Sequence, residues 1–173
     1  MRRLILLRHA KSEWPNGISD HERSLAARGR EAAPVIGAYL AREGLWPDQV
    51  LVSPARRTQE TWALVAPALS THPAIVSEPR IYEASPGTLL AVLREQPAQV
   101  HCLMMVGHNP GMEGLAARLC GSGPAEARVA MAAKYPTGAL AVIDLPVDRW
   151  EDVEPTTGRL DRFVTPRMLM AGA

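Results

Sequence analysis

The chain has 173 residues, of which 47% are hydrophobic and 21% charged, and its formal net charge is +1. This composition predicts one globular domain over residues 1–173 and excludes a largely disordered chain. The small net charge argues against nucleic acid or a membrane surface as partner, and the sequence lacks an apolar run long enough for a membrane span or a signal peptide, so we expect a cytoplasmic protein.

The first third of the chain predicts two strand-helix pairs. Leu4–Leu7 predicts a short buried strand. Residues 24–44 have helical spacing, and Pro34 within them either bends the helix or lies in its first turn. A second strand is predicted over 49–53. The serine that ends this strand and the proline after it are expected to open a helix toward Leu69, with the serine as cap.

The alternation continues through the middle of the chain. A short strand is predicted at 74–76, and a Ser-Pro pair opens a helix over 85–96. The strongest strand pattern follows at 100–108, then a helix at 111–121 and another strand at 138–145.

Two segments are less regular. Residues 121–137 match neither pattern, and residues 150–166 predict a hairpin with a turn near Pro155–Gly158. Strands that alternate with helices are typical of parallel βαβ units. The chain is therefore predicted to form a three-layer α/β/α sandwich with a mostly parallel central sheet, to which the hairpin adds an antiparallel member.

Unusual polar residues follow three of the predicted strands. Arg8 and His9 follow the first strand, SPARR (53–57) lies at the end of the second, and GHNP (107–110) at the end of the strongest one. In open α/β sheets, ligands bind beyond the carboxyl ends of the strands. Histidines and arginines gathered there indicate a site for an anion, most simply a phosphoryl group, with a histidine available as nucleophile.

Other readings of the same residues are weaker. A zinc site at His9 and His108 would need further ligands, and the neighbouring arginines would repel the metal. Cys102 and Cys120 have neither redox nor zinc spacing and are expected to be reduced packing residues. The remaining histidines have no motif around them and are expected to be surface or core residues: His21, His72 and His101.

Three stretches together resemble the histidine phosphatase superfamily: LLRHAKSEW, LVSPARRTQET and VGHNPG. The hallmark of that superfamily is Arg-His-Gly or Arg-His-Ala after the first strand. The stretch SDHERSLAARGREAAP and the small size are most similar to its SixA-type branch, the phosphohistidine phosphatases. The resemblance runs from Leu4 to about Gly114 and more loosely through TGALAVIDL.

The resemblance implies a role for five residues. His9 would be the nucleophile, Arg8 the first phosphate-binding arginine and His108 the second histidine of the pocket. The SPxxR motif assigns the second phosphate-binding arginine to Arg57 and leaves the arginine before it as a bystander. Glu83 is the nearest match to the glutamate that donates a proton in many relatives, and it could equally be a surface carboxylate.

The implied activity is that of a metal-independent phosphohydrolase, without a cofactor, that forms a covalent phosphohistidine on His9. The SixA-type resemblance implies phosphohistidine on a protein as the substrate. A small phosphate ester, such as a sugar or nucleotide phosphate, is the alternative substrate, and a non-catalytic phosphate-binding module is the alternative function. A mutase is disfavoured because mutases of this superfamily are generally longer.

Overall fold

Residues 1–171 are described by a computed structural model, and they form a seven-stranded mixed sheet with six helices. The strands are β1 Arg2–Arg8, β2 Gln49–Val52, β3 Ala74–Ser77, β4 Cys102–Gly107, β5 Cys120–Ser122, β6 Leu140–Leu145 and β7 Gly158–Val164. The helices are α1 Ala27–Arg42, α2 Arg56–Val65, α3 Pro86–Arg94, α4 Gly111–Leu119, α5 Ala125–Ala133 and α6 Pro166–Met170. None of the helices within this part of the chain is long and apolar enough to cross a bilayer.

The strand order is β3-β2-β4-β1-β6-β7-β5. The four strands from β3 to β1 are parallel, β6 is antiparallel to both β1 and β7, and β5 pairs parallel with β7. Helices α1 and α2 contribute to the core on one face of this sheet, and α3, α4 and α5 contribute to the core on the other. The predicted α/β sandwich with a mostly parallel sheet is confirmed.

Strand β1 is apolar on both sides because it lies between these two cores. Leu4 and Leu6 belong to the core on the α3 side, whereas Ile5 and Leu7 belong to the core on the α1 side. A strand buried on both faces needs a continuous apolar run rather than an alternating pattern. The same requirement explains the run from Leu103 to Val106 in β4.

The start of α2 differs from the prediction. The helix begins at Arg56 with Ala55 as its N-cap, and no side chain caps it, so Ser53 is not the cap. The amide of Ala55 instead donates to Ser53 Oγ, 3.3 Å away, before the helix begins. In α1, Pro34 lies inside the helix rather than in the first turn, on an exposed position where its ring faces solvent.

The hairpin predicted over 150–166 is wrong. Residues Trp150–Asp152 form a short 3-10 turn, and only the second arm is a strand, β7, whose antiparallel partner is β6. The first arm cannot join the sheet because the Trp150 ring is buried and its indole N–H donates to the carbonyl of Val100. The unassigned residues 121–137 contain the end of β5 and all of α5.

Candidate active site

The pairing of β1 with β4 brings two histidines together. Arg8 lies opposite Gly107 in the parallel ladder, and the amide of His9 donates to the carbonyl of Gly107 at 3.0 Å. The next residue of each strand is therefore a histidine at the same edge of the sheet. The ring centroids of His9 and His108 are 5.3 Å apart.

All five residues that the sequence singled out line one cleft of about 510 Å³: Arg8, His9, Arg57, Glu83 and His108. Arg57 reaches the cleft from the first turn of α2. Glu83 comes from the segment between β3 and α3 and has a positive φ of 55°, which is uncommon for a residue other than glycine. Arg56 does not line the cleft; it is exposed and forms an ion pair with Glu60.

The hydrogen bond of His9 determines which ring nitrogen is free. Its Nδ1 lies 2.7 Å from the carbonyl oxygen of Ala10, and a carbonyl can only accept, so we assign the ring proton to Nδ1. Nε2 then keeps its lone pair. The amide of Ala10 donates to Thr61 Oγ1, which fixes the loop that carries this carbonyl.

His9 is held in its neutral form. Burial is the largest cause that lowers the pKa of His9 to about 4; the positive charges of Arg57 and Arg8 act in the same direction, and the hydrogen bond to the Ala10 carbonyl opposes them. An ordinary histidine has a pKa of about 6.5. At neutral pH the His9 ring is consequently an uncharged base with a free Nε2.

His108 is oriented by Ser53. The hydroxyl of Ser53 lies 2.7 Å from His108 Nε2, and because Ser53 Oγ accepts from the amide of Ala55, its own proton is available for that nitrogen. We therefore assign the proton of the neutral His108 ring to Nδ1. Nδ1 is buried and has no hydrogen-bond partner within residues 1–171, so it is available as a donor. Burial lowers the pKa of His108 to about 3, with His9 as the next contribution.

The two arginines are anchored by different parts of the fold. Arg8 donates to the carbonyl of Tyr135 at 2.9 Å. Arg57 donates to both the carbonyl and the carboxylate of Asp20, at 2.7 and 3.1 Å. The Arg57 side chain is only 6% exposed. Two fixed guanidinium groups at one cleft have the charge and the geometry that suit a phosphoryl group.

Asp20 connects several side chains of the cleft through hydrogen bonds. Its carboxylate accepts hydrogen bonds from Tyr82, Arg57 and Arg23, and these hydrogen bonds hold the pKa of Asp20 well below its usual range. Burial and the bond to Asp20 raise the pKa of Tyr82 to about 12, so the phenol stays protonated. The ring of Tyr82 also packs edge-on against His108, with centroids 5.5 Å apart.

Sequence reasoning gave no role to several residues that line the cleft: Lys11, Ser12, Asp20, Tyr82, Asn109 and Thr137. Asp20 and Arg23 lie in the SDHER stretch, so the resemblance contained a signal for them. Trp14 also lines the cleft, and the guanidinium carbon of Arg23 lies 3.5 Å from the centre of its ring. Nothing in the spacing of Tyr82 or Thr137 could have placed them here, because they arrive from separate loops.

The remaining predicted groups lie elsewhere. His21 packs edge-on against Tyr82 without lining the cleft, and His101 Nδ1 lies 2.9 Å from a guanidinium nitrogen of Arg2. Cys102 and Cys120 are free thiols. Across residues 1–171, no three His, Cys, Asp or Glu side chains are grouped so that they could hold a metal ion.

Comparison with known proteins agrees with this geometry. Residues 4–100 match the family described as histidine phosphatase superfamily (branch 1). An uncharacterized protein of Mycobacterium tuberculosis is 37% identical over 163 residues, which cover 93% of this chain and all of that protein.

Two solved structures differ in how closely they follow the fold. A protein from Agrobacterium tumefaciens, provisionally assigned as the phosphohistidine phosphatase SixA, superposes with a TM-score of 0.81 and 31% identity over 95% of this chain and 98% of that one. The α-ribazole phosphatase from Shigella flexneri, 19% identical, covers 95% of this chain and 96% of that one with a TM-score of 0.61.

The lowered pKa values lead to a test by NMR. We expect the rings of His9 and His108 to stay neutral from pH 7 down to about pH 5, because their pKa values are about 4 and about 3. Titration of ring nitrogen shifts, assigned with His9→Asn and His108→Asn variants, measures this directly. Titration midpoints near 6.5 would contradict the described environment.

The same shifts predict the pH dependence of stability. The unfolded chain takes up protons on these two histidines below about pH 6.5, whereas the native protein does not. The free energy of unfolding should therefore fall as the pH falls from about 6.5 toward 4, and this part of the loss should be smaller in the two Asn variants.

Proposed function

Since this chain belongs to the histidine phosphatase superfamily and is a phosphatase, we propose that it hydrolyses phosphohistidine on a protein through a phosphoryl intermediate on His9. The observation that carries the proposal is the neutral His9 ring with a free Nε2, placed in a cleft whose other side chains include two anchored arginines. A phosphatase that works by covalent catalysis needs a nucleophile beside fixed positive charge.

The first half of the proposed reaction transfers the phosphoryl group to the enzyme. His9 Nε2 attacks phosphorus with its lone pair, in line with the bond to the leaving nitrogen, and that bond breaks with its electrons going to the departing imidazole. Arg8 and Arg57 bind the equatorial oxygens, and His108 donates from Nδ1. Each of these donors is held in place by Tyr135, Asp20 or Ser53 before the substrate arrives.

An imidazole leaving group makes this step close to symmetric. The bond that breaks and the bond that forms both join phosphorus to an imidazole nitrogen, so the transfer has little net driving force in either direction. The departing ring needs only one proton on a nitrogen that is readily protonated near neutral pH. Such a substrate therefore requires little help from a general acid.

The second half of the proposed reaction returns the enzyme to its starting state. Water attacks the phosphorus of phospho-His9, and the bond to Nε2 breaks with its electrons returning to the ring. The oxygen and both protons of the water leave in the product, dihydrogen phosphate, and His9 is again neutral with its proton on Nδ1. The same arginines and His108 bind the three equatorial oxygens in this step, so no further group is needed to stabilise the negative charge.

Two observations support a protein as the carrier of the phosphoryl group. The backbone follows the SixA-like structure from Agrobacterium tumefaciens more closely than the α-ribazole phosphatase, with TM-scores of 0.81 and 0.61. The rim of the cleft is also open, since Trp14 is 75% exposed and Glu83 is exposed. An open rim admits a phosphorylated side chain that projects from a folded surface.

A small phosphate ester is a second candidate substrate, and the position of Glu83 favours it. Glu83 lines the cleft together with His9, on a backbone conformation that glycine would adopt more easily. An alkoxide leaving group needs a proton in the transition state, which a carboxylic acid at that position could supply. The two candidates therefore differ in whether Glu83 matters.

The proposed function is tested by turnover with a chelator present. We expect the wild-type protein to hydrolyse a phosphohistidine peptide in preference to a panel of sugar, nucleotide and serine phosphates. His9→Ala should lose at least about a thousandfold in kcat, because it removes the nucleophile. His72→Ala, which replaces an exposed histidine outside the cleft, is the matched control. An active His9→Ala protein would overturn the proposal, and preference for an ester would favour the second candidate.

The role of Glu83 is tested by comparing two classes of substrate. We expect Glu83→Gln to leave the rate on phosphohistidine within about threefold, whereas loss of a working general acid costs about 10² to 10⁴ in rate on an ester. Glu22→Gln, an exposed carboxylate that does not line the cleft, is the control. An equally large loss on both substrates would show that the leaving imidazole also depends on Glu83.

A further inference from the structure

A second concavity of about 840 Å³ adjoins the active-site cleft, and we call it the basic groove. Its walls come from the start of α1, the end of α5 and the segment from β7 through α6. Lys11 and Thr137 line both the groove and the cleft. The groove therefore borders the cleft in which His9 lies.

Positive charge dominates the groove. Four cationic side chains line it, all of them exposed: Lys11, Arg28, Lys134 and Arg167. The carboxylate that accompanies them is Glu31. Within residues 1–171, none of these four cations takes part in an ion pair or in a side-chain hydrogen bond. Their charges are not neutralised by the described part of the fold, and the chain as a whole has a net charge of only +1.

The floor of the groove is apolar. Phe163 and Pro166 lie in it, and Met168 and Met170 are 52% and 41% exposed. Exposed apolar side chains grouped within a polar rim are typical of surfaces that bind another protein. Methionine is suited to such a surface because its flexible thioether adapts to different side chains.

We propose that the basic groove binds an acidic segment of the phosphoprotein substrate, close to the phosphorylated histidine, with apolar side chains of that segment on Met168 and Met170. This inference rests on the proposed function for the identity of the partner. Carboxylates of the segment form ion pairs with the cations of the groove. Because Lys11 lines both the groove and the cleft, a substrate segment bound in the groove can continue into the cleft toward His9. Charge complementarity of this kind selects partners and speeds their association.

A small ester would not use the groove. The cleft of about 510 Å³ already accommodates a ligand of that size, and the groove lies beyond Lys11 and Thr137. Changes in the groove should therefore affect protein and peptide substrates alone. This difference separates the groove from the catalytic machinery in an experiment.

The test uses a double charge reversal in the groove, Arg28→Glu with Arg167→Glu. Neither residue lines the cleft. The matched control is Arg118→Glu with Arg159→Glu, two exposed arginines outside both concavities, which changes the net charge equally. The probes are a phosphohistidine peptide with acidic and leucine flanks, the same peptide with serine and glutamine flanks, and free phosphohistidine.

We expect the groove variant to raise KM for the acidic peptide about tenfold or more, since two attractive pairs become repulsive. Its kcat, its rate on free phosphohistidine and its KM for the neutral peptide should stay at wild-type values, as should all constants of the control. Equal KM values for the two peptides in the wild-type protein, or an equal effect of both double variants, would overturn the inference.

Binding without chemistry separates this inference from the proposed function. The unphosphorylated acidic peptide, labelled and followed by fluorescence anisotropy, should bind the wild-type protein and lose affinity in the groove variant and at high salt. Binding of the acidic peptide without turnover of either phosphohistidine peptide would refute the proposed substrate and leave an acidic-peptide site. Turnover without binding would refute the groove. Stronger binding of an RNA oligomer or of anionic vesicles than of the peptide would also refute it.

Discussion

The parallel pairing of β1 with β4 is the constraint on which the rest of the site depends. The ladder ends with Arg8 opposite Gly107, and the bond from the His9 amide to the Gly107 carbonyl extends it by one more step. The two neighbouring strands therefore end at the same edge of the sheet, and a histidine is the next residue after each of them. A shift of the register by one residue would turn the side chain of His9 to the other face of the sheet and separate it from His108.

The fold uses backbone carbonyls and a few buried side chains to prepare this edge. The carbonyl of Ala10 selects the tautomer of His9, Ser53 selects that of His108, and the carbonyl of Tyr135 holds Arg8. In the proposed mechanism the two anchored arginines bind the phosphoryl group, and their charges add to the burial that keeps the imidazole of His9 uncharged. One electrostatic arrangement thus supports both the binding of an anion and the nucleophilic form of the histidine.

The sequence predicted the central part of the site because that part follows from strand ends. The residues after β1, β2 and β4 share one edge of a parallel sheet, so Arg8, Arg57 and His108 could be expected to converge. Residues brought in by loops could not be placed in the same way. Tyr82 lines the cleft from a loop, where its hydroxyl donates a hydrogen bond to Asp20, and neither residue has a periodic signal.

The two wrong predictions of secondary structure also have physical causes. Serine is a common helix cap, but the hydroxyl of Ser53 is hydrogen-bonded to His108, and the helix begins only at Arg56. Trp150 has the pattern of a strand residue, but its burial against the core keeps its segment out of the sheet. In both places a tertiary contact decided between local alternatives that the sequence left equally favourable.

The most direct test of this account is to detect the covalent intermediate. Wild-type protein is mixed with a phosphohistidine peptide, and the reaction is quenched in base within milliseconds. The enzyme is then digested, and its phosphorylated fragment is identified by mass spectrometry. The account predicts a phosphoryl group on Nε2 of His9, stable in base and lost in acid. A phosphoryl group on another residue, or rapid release of phosphate without any phosphorylated enzyme, would contradict it.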